Sequence, residues 1–126
     1  MITGTGTDII ETERVRNLID TYGDRFLRRW FDVREIEYCS RKAKPYLHFA
    51  ARLAAKEATV KALGLPSGPL RWKYIIVENL EDGRPRIQLN GEPLEEVERL
   101  GTTRLHVSIS HCDAYAIAMV TAERAG

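Results

Sequence analysis

A single domain of mixed helices and strands is what this sequence predicts, on three observations. The chain is 126 residues long, enough for one hydrophobic core and short for two. Its middle third holds an alanine-rich run, Phe49-Ala50-Ala51-Arg52-Leu53-Ala54-Ala55-Lys56-Glu57-Ala58-Thr59-Val60-Lys61-Ala62-Leu63-Gly64, that reads as a helix. Beyond it the period changes to β-branched runs with alternating polarity, the pattern of strands.

In chain order, residues 2–10 form a short strand with Asp8 in its C-terminal half. Gly4-Thr5-Gly6 is not a phosphate loop, because no third glycine follows at the dinucleotide spacing and no Gly-Lys-Ser/Thr occurs. Thr12 is the expected N-cap of a helix to Tyr22, with Val15, Leu18, Ile19 and Tyr22 as its apolar face and Arg14 and Arg16 opposite. A second helical segment covers Asp24 to Phe31. Asp32 and Glu35 make a capping box for a third, to about Ser40.

The long helix starts near Tyr46 after the basic link 41–45. Leu53, Val60 and Leu63 recur on it at helical spacing, and Gly64 and Pro66 stop it. From Leu70 the chain turns strand-like, with strands at 74–78 and 86–90 joined by the turn 81–84. A short helix from Gly91 to Leu100 is expected to bury Leu94, Val97 and Leu100. The chain ends in a hairpin of 105–111 and 115–120. Alternation puts His106, Ser108 and Ser110 on one face and Val107 and Ile109 on the other.

Composition excludes several classes. A net charge of +1 argues against a dedicated nucleic-acid binder. The charge is uneven: residues 12–44 hold nine Lys/Arg against six Asp/Glu, and residues 81–100 hold three against six. The N-terminal third is therefore a candidate face for an acidic partner. Cys39 and Cys112 form no CxxC pair, and with three histidines a zinc site is not expected. The N-terminus lacks a basic n-region and an apolar run, and no stretch approaches membrane-spanning length. A cytoplasmic protein with reduced thiols is expected.

Three segments offer matching chemistry. Glu57 and Lys61 sit four apart and share a helix face. They are either a solvated surface pair, or a carboxylate that holds a metal beside an ammonium that holds a phosphate. Asp8 is either a turn or helix cap, or a second carboxylate for that metal. Magnesium typically takes one or two carboxylates and completes its shell with phosphate oxygens. His106, Ser108 and His111 either face solvent or line an anion site. No Gly-x-Ser-x-Gly elbow occurs and neither cysteine has an evident activator, which favours direct phosphoryl-type transfer by positioning and charge neutralisation.

Gly4-Thr5-Gly6-Thr7-Asp8-Ile9, the helix run with Lys56-Glu57-Ala58 and Lys61-Ala62, Gly83-Arg84-Pro85, and His106-Val107-Ser108-Ile109-Ser110-His111 together resemble the holo-[acyl-carrier-protein] synthase family, the small single-domain class of 4′-phosphopantetheinyl transferases. The resemblance runs in the same order over nearly the whole chain. It implies an α+β fold, with antiparallel sheet packed on a long central helix, in one transferase domain spanning 1–126. It also implies a homotrimer with active sites at subunit interfaces.

The implied reaction moves 4′-phosphopantetheine from coenzyme A to a serine of apo-acyl carrier protein, releasing adenosine 3′,5′-bisphosphate, in support of fatty acid or polyketide biosynthesis. By position, Asp8 and Glu57 resemble the magnesium ligands and Lys61 the pyrophosphate contact. Arg52, His106, Ser108 and His111 would line the coenzyme A site, and Arg14, Arg25 and Arg28 would dock the carrier. The serine proton would pass to Glu57 or to a metal-bound water. Two rival classes are a non-catalytic module for a nucleotide or acidic protein, and a small RNA binder. The first would show no magnesium dependence and no product; the second lacks an aromatic stacking motif on a strand.

Overall fold

The computed structural model describes residues 1–66, 72–102 and 104–125. The expected change of period at Leu70 lies outside the described residues. The elements, in order, are β1 (Ile2–Glu11), α1 (Thr12–Tyr22), α2 (Asp24–Trp30), α3 (Val33–Ser40), α4 (Pro45–Leu63), β2 (Ile75–Asn79), β3 (Pro85–Leu89), α5 (Gly91–Leu100), β4 (Arg104–His111) and β5 (Tyr115–Glu123). The strands make two antiparallel sheets. One has the order β1-β5-β4 and the other pairs β2 with β3. The fold class is α+β.

Helix α4 is buried on nearly every side, and only Glu57 and Lys61 keep appreciable exposure past its first turn. A helix this rich in alanine can be enclosed closely, because small side chains let neighbouring backbones approach. The inner face of the three-stranded sheet supplies that neighbour with Ala116, Ala118, Val120 and Ala122 of β5, all buried. Gly4 and Gly6 of β1 explain themselves here. A Cβ on Gly4 would lie 2.0 Å from the Ala62 carbonyl oxygen, and one on Gly6 would lie 1.9 Å from that of Ala58. The glycines exist to seat β1 against the backbone of α4.

The helix ends follow local chemistry. Asp32 and Glu35 form the capping box, and α4 stops at Gly64 in the left-handed conformation at φ 67. Two expectations are corrected. Thr12 is not the N-cap of α1: Glu11 occupies that position, and the buried Thr12 hydroxyl instead donates to the Asp113 carbonyl, tying the helix start to the β4–β5 turn. The apolar stripe of α5 is only partly covered. Leu94 and Leu100 each remain 38% exposed, because the helix leans on the core through Pro93 and Val97.

Candidate active site

The site grows from the junction of β1 and α4. Gly6, Asp8 and Ile10 share the helix-facing side of β1, so the approach that the glycines permit delivers Asp8 to α4. Lys61 Nζ donates to the Thr7 carbonyl at 2.9 Å and meets Asp8 Oδ1 at 3.3 Å. Glu57, one turn earlier, lies close enough for both to act on it. Burial raises the Glu57 carboxyl above its ordinary range, and the Asp8 carboxylate raises it further, against the pull of Lys61 and Arg14. Two carboxylates and a half-exposed ammonium therefore converge, and Asp8 is neither a turn cap nor a helix cap.

A cavity of about 210 Å³ opens beside these carboxylates. Its walls include Arg14, Leu18, Trp30, Leu53 and Trp72. Arg14 also lines a wider cleft along α1 with Tyr22 and Tyr115, and Arg25 lines a third with Phe26, Arg29 and Trp30. Arg14, Arg25 and Arg28 are all exposed, although Arg28 lines none of these clefts.

The remaining candidate residues do not join the carboxylates within one chain. His106 and Ser108 lie on the outer face of the sheet, on β4, across β5 from β1. His106 Nε2 is 3.1 Å from Glu123 Oε1. Both residues line a cleft against the β2–β3 hairpin with Arg84, Arg86 and Arg104. His111 lies at the strand end, its ring 5.4 Å from that of His48 on α4. Burial lowers the His48 pKa, and its electrostatic interactions with His111, Lys42 and Arg52 lower it further. Arg52 belongs to this second cluster. It is buried, stacks over Tyr38 at 4.3 Å and donates through Nη2 to Asn79 Oδ1 at 2.6 Å.

Sequence reasoning missed the cations Arg86 and Arg104 of the β4 cleft and the paired tryptophans of the cavity wall. The alternation around Arg86 and Arg104 shows which strand face they occupy, but not that two separate sheets meet beside them. Cys39 offers no nucleophile, since burial pushes its thiol up to about 12.

Among the described residues no group of three or more His, Cys, Asp and Glu could hold a metal. No helix there is long and apolar enough to cross a membrane. Residues 4–120 match the model of the 4′-phosphopantetheinyl transferase superfamily. The chain is 43% identical over 124 residues to the holo-[acyl-carrier-protein] synthase of Koribacter versatilis, covering 98% of this chain and 99% of that protein. It is 42% identical over 126 residues to that of Syntrophus aciditrophicus, covering 98% and 97%. Its fold is similar to the crystal structure of the Neisseria meningitidis holo-[acyl-carrier-protein] synthase, with TM-score 0.88 at 32% identity over 98% of this chain and 100% of that one. The Helicobacter pylori holo-[acyl-carrier-protein] synthase in complex with coenzyme A gives 0.83 at 29% over 94% and 99%.

Proposed function

We propose that this chain, which belongs to the 4′-phosphopantetheinyl transferase superfamily, transfers 4′-phosphopantetheine from coenzyme A to a serine of an apo-acyl carrier protein. The observation that carries the reading is that Asp8 and Glu57 line one cavity while Lys61 Nζ reaches Asp8. The carrier serine oxygen attacks the phosphorus that bears the pantetheine arm. The bond to the second phosphate breaks, and adenosine 3′,5′-bisphosphate leaves with that electron pair. The product serves a pathway of fatty acid or polyketide assembly.

The donor set fits magnesium. Asp8 and Glu57 offer hard carboxylate oxygens, and both line the same cavity. Burial first and Asp8 second raise the Glu57 carboxyl, and a cation between the two would relieve both effects. A pair of carboxylates leaves room for water and phosphate oxygens, as that ion prefers. When bound there, magnesium would supply charge neutralisation to the pyrophosphate. Lys61 is held by one carbonyl and one carboxylate while half-exposed, so it can turn towards a phosphate oxygen. Glu57, whose proton affinity burial and Asp8 raise, is the carboxylate of this site that would receive the serine proton.

The separation of His106 and Ser108 from the carboxylates supports a homotrimer. Ile9, Tyr115, Ile117 and Met119 leave the outer sheet face 60%, 48%, 42% and 53% exposed, an apolar stripe of the kind that interfaces cover. A second copy on that face would bring its own β1–α4 edge to the first copy's β4 cleft, and so complete a coenzyme A site from two chains. Arg52 and His111 would line its far end. Arg14, Arg25 and Arg28 form the exposed basic face that an acidic carrier would dock on, with salt-sensitive encounter.

The test is the mass of an apo-acyl carrier protein after incubation with the protein, coenzyme A and magnesium. One phosphopantetheine is gained with the parent chain, and none with Asp8→Ala, with Glu57→Ala, or with a chelator present. An unmodified carrier in the parent reaction, across several carriers, removes the transferase reading.

A further inference from the structure

One residue before Glu57 lies a fully buried ion pair that the transfer does not use. Lys56 Nζ donates to Glu35 Oε1 at 2.7 Å, to the Trp72 carbonyl at 2.7 Å and to the Ile75 carbonyl. Its three hydrogens thus have three acceptors. Glu35 Oε1 also accepts from the Asp32 amide at 3.0 Å, and Oε2 accepts from the Val77 amide at 3.2 Å. Both side chains are 0% exposed. The pair joins α3, α4, β2 and the segment at Trp72 through a single charged centre.

Trp72 is where this centre reaches the site. Its ring lies 4.0 Å from that of Trp30, and both rings line the cavity whose mouth holds Asp8 and Glu57. The Trp72 indole N–H is buried and has no hydrogen-bond partner among the described residues. A buried donor left open in a cavity wall is costly unless a ligand acceptor meets it. The ring is fixed to α4 by its own carbonyl on Lys56, so the wall and Glu57 hang from consecutive residues of one helix.

We propose that Lys56 and Glu35 are positioning residues: their buried pair sets the Trp30–Trp72 wall against which the amide-bearing arm of the donor lies beside Asp8 and Glu57. This rests on the reading of that site given above. The pair holds α3 and β2 at a fixed distance from α4, and the wall keeps its place only while these hydrogen bonds are made. Removing one partner leaves the other buried without compensation, and the segment carrying Trp72 moves to rehydrate it.

The experiment compares Lys56→Met and Glu35→Gln with Val120→Ala, a β5 core substitution outside the cavity lining. Glu35→Gln keeps the side chain's size and removes one of two acceptor oxygens in use, so it carries the test where Lys56→Met does not fold. Trp30 and Trp72 are the two tryptophans of the chain, so acrylamide quenching of intrinsic emission reads the wall without any turnover. Quenching rises in the pair variants, and their KM for coenzyme A rises about ten-fold while kcat is held, the pattern of lost ground-state contact. Val120→Ala loses stability with both readouts at parental values. Parental quenching and KM in folded Lys56→Met or Glu35→Gln, or an equal change in Val120→Ala, overturn the proposal. If the parent transfers nothing, the site reading fails, and quenching alone still decides whether the pair sets the wall.

Discussion

Glu57 binds its proton more tightly in the folded chain than a free glutamate does, first through burial and then through Asp8. Between the ordinary glutamate value and the raised one, the folded state therefore carries more protons than the unfolded state, and stability falls as pH rises. Glu57→Gln removes that penalty. In metal-free buffer at pH 7 the variant should melt above the parent, with the gap closing below about pH 4.3, where a free glutamate is itself half protonated. Transfer by the same variant should drop by about 100-fold or more. A parental melting temperature at pH 7 would show that Asp8 and burial do not strain this carboxylate. Asp8, Glu57 and Lys61 were legible in the sequence because each is a polar residue at a position where the local pattern calls for packing. Lys56 and Arg52 have the same signal. Their partners Glu35 and Asn79 stand 21 and 27 residues away, and no local pattern separates a buried, paired cation from a solvated one.

At the scale of elements, β1 and α4 act as one unit. The contact that seats them is backbone to backbone, and Asp8 is carried two residues beyond Gly6. Gly6→Ala would drive a Cβ into the Ala58 carbonyl, at a cost of about 1–3 kcal/mol by ordinary overpacking. Chemical denaturation should show that loss, and kcat should fall with it, because the strand must lift from the helix and take Asp8 along. Unchanged kcat in a destabilised Gly6→Ala variant would separate the packing from the site. Element boundaries were legible where a cap dictates them, as at Asp32 with Glu35 and at Gly64. The exposure of α5 was not. Its stripe of Leu94, Val97 and Leu100 has helical spacing, but spacing shows only which residues could be buried together, while the reach of the neighbouring core decides how many are.

At the scale of the molecule, the three-stranded sheet has two chemically distinct faces. Its inner face packs alanines on α4, and its outer face presents Ile9, Ile117 and Met119 beside the His106 and Ser108 stripe. The alternation that separates His106 and Ser108 from Val107 and Ile109 was legible in the hairpin. That this stripe lies on the opposite face from Asp8 needs the strand order β1-β5-β4, which no single hairpin reveals. Sedimentation should give a mass three times 14.4 kDa. Ile117→Asp should reduce it to that of one chain and abolish transfer, since a buried unpaired charge disfavours association. A parental assembly with Ile117→Asp would place the interface elsewhere.

In the proposed assembly, phosphopantetheine transfer occurs at a site whose carboxylates come from one copy and whose β4 cleft comes from another. Complementation tests it most directly. An Asp8→Asn chain and a His106→Asp chain, each assayed alone, should transfer almost nothing to an apo-acyl carrier protein. Refolded together, they should regain a measurable fraction of parental transfer, because some interfaces then pair an intact Asp8 with an intact His106. A mixture that stays as inactive as its two components would contradict the shared site, and would require His106 to act, if at all, beside the Asp8 of its own chain.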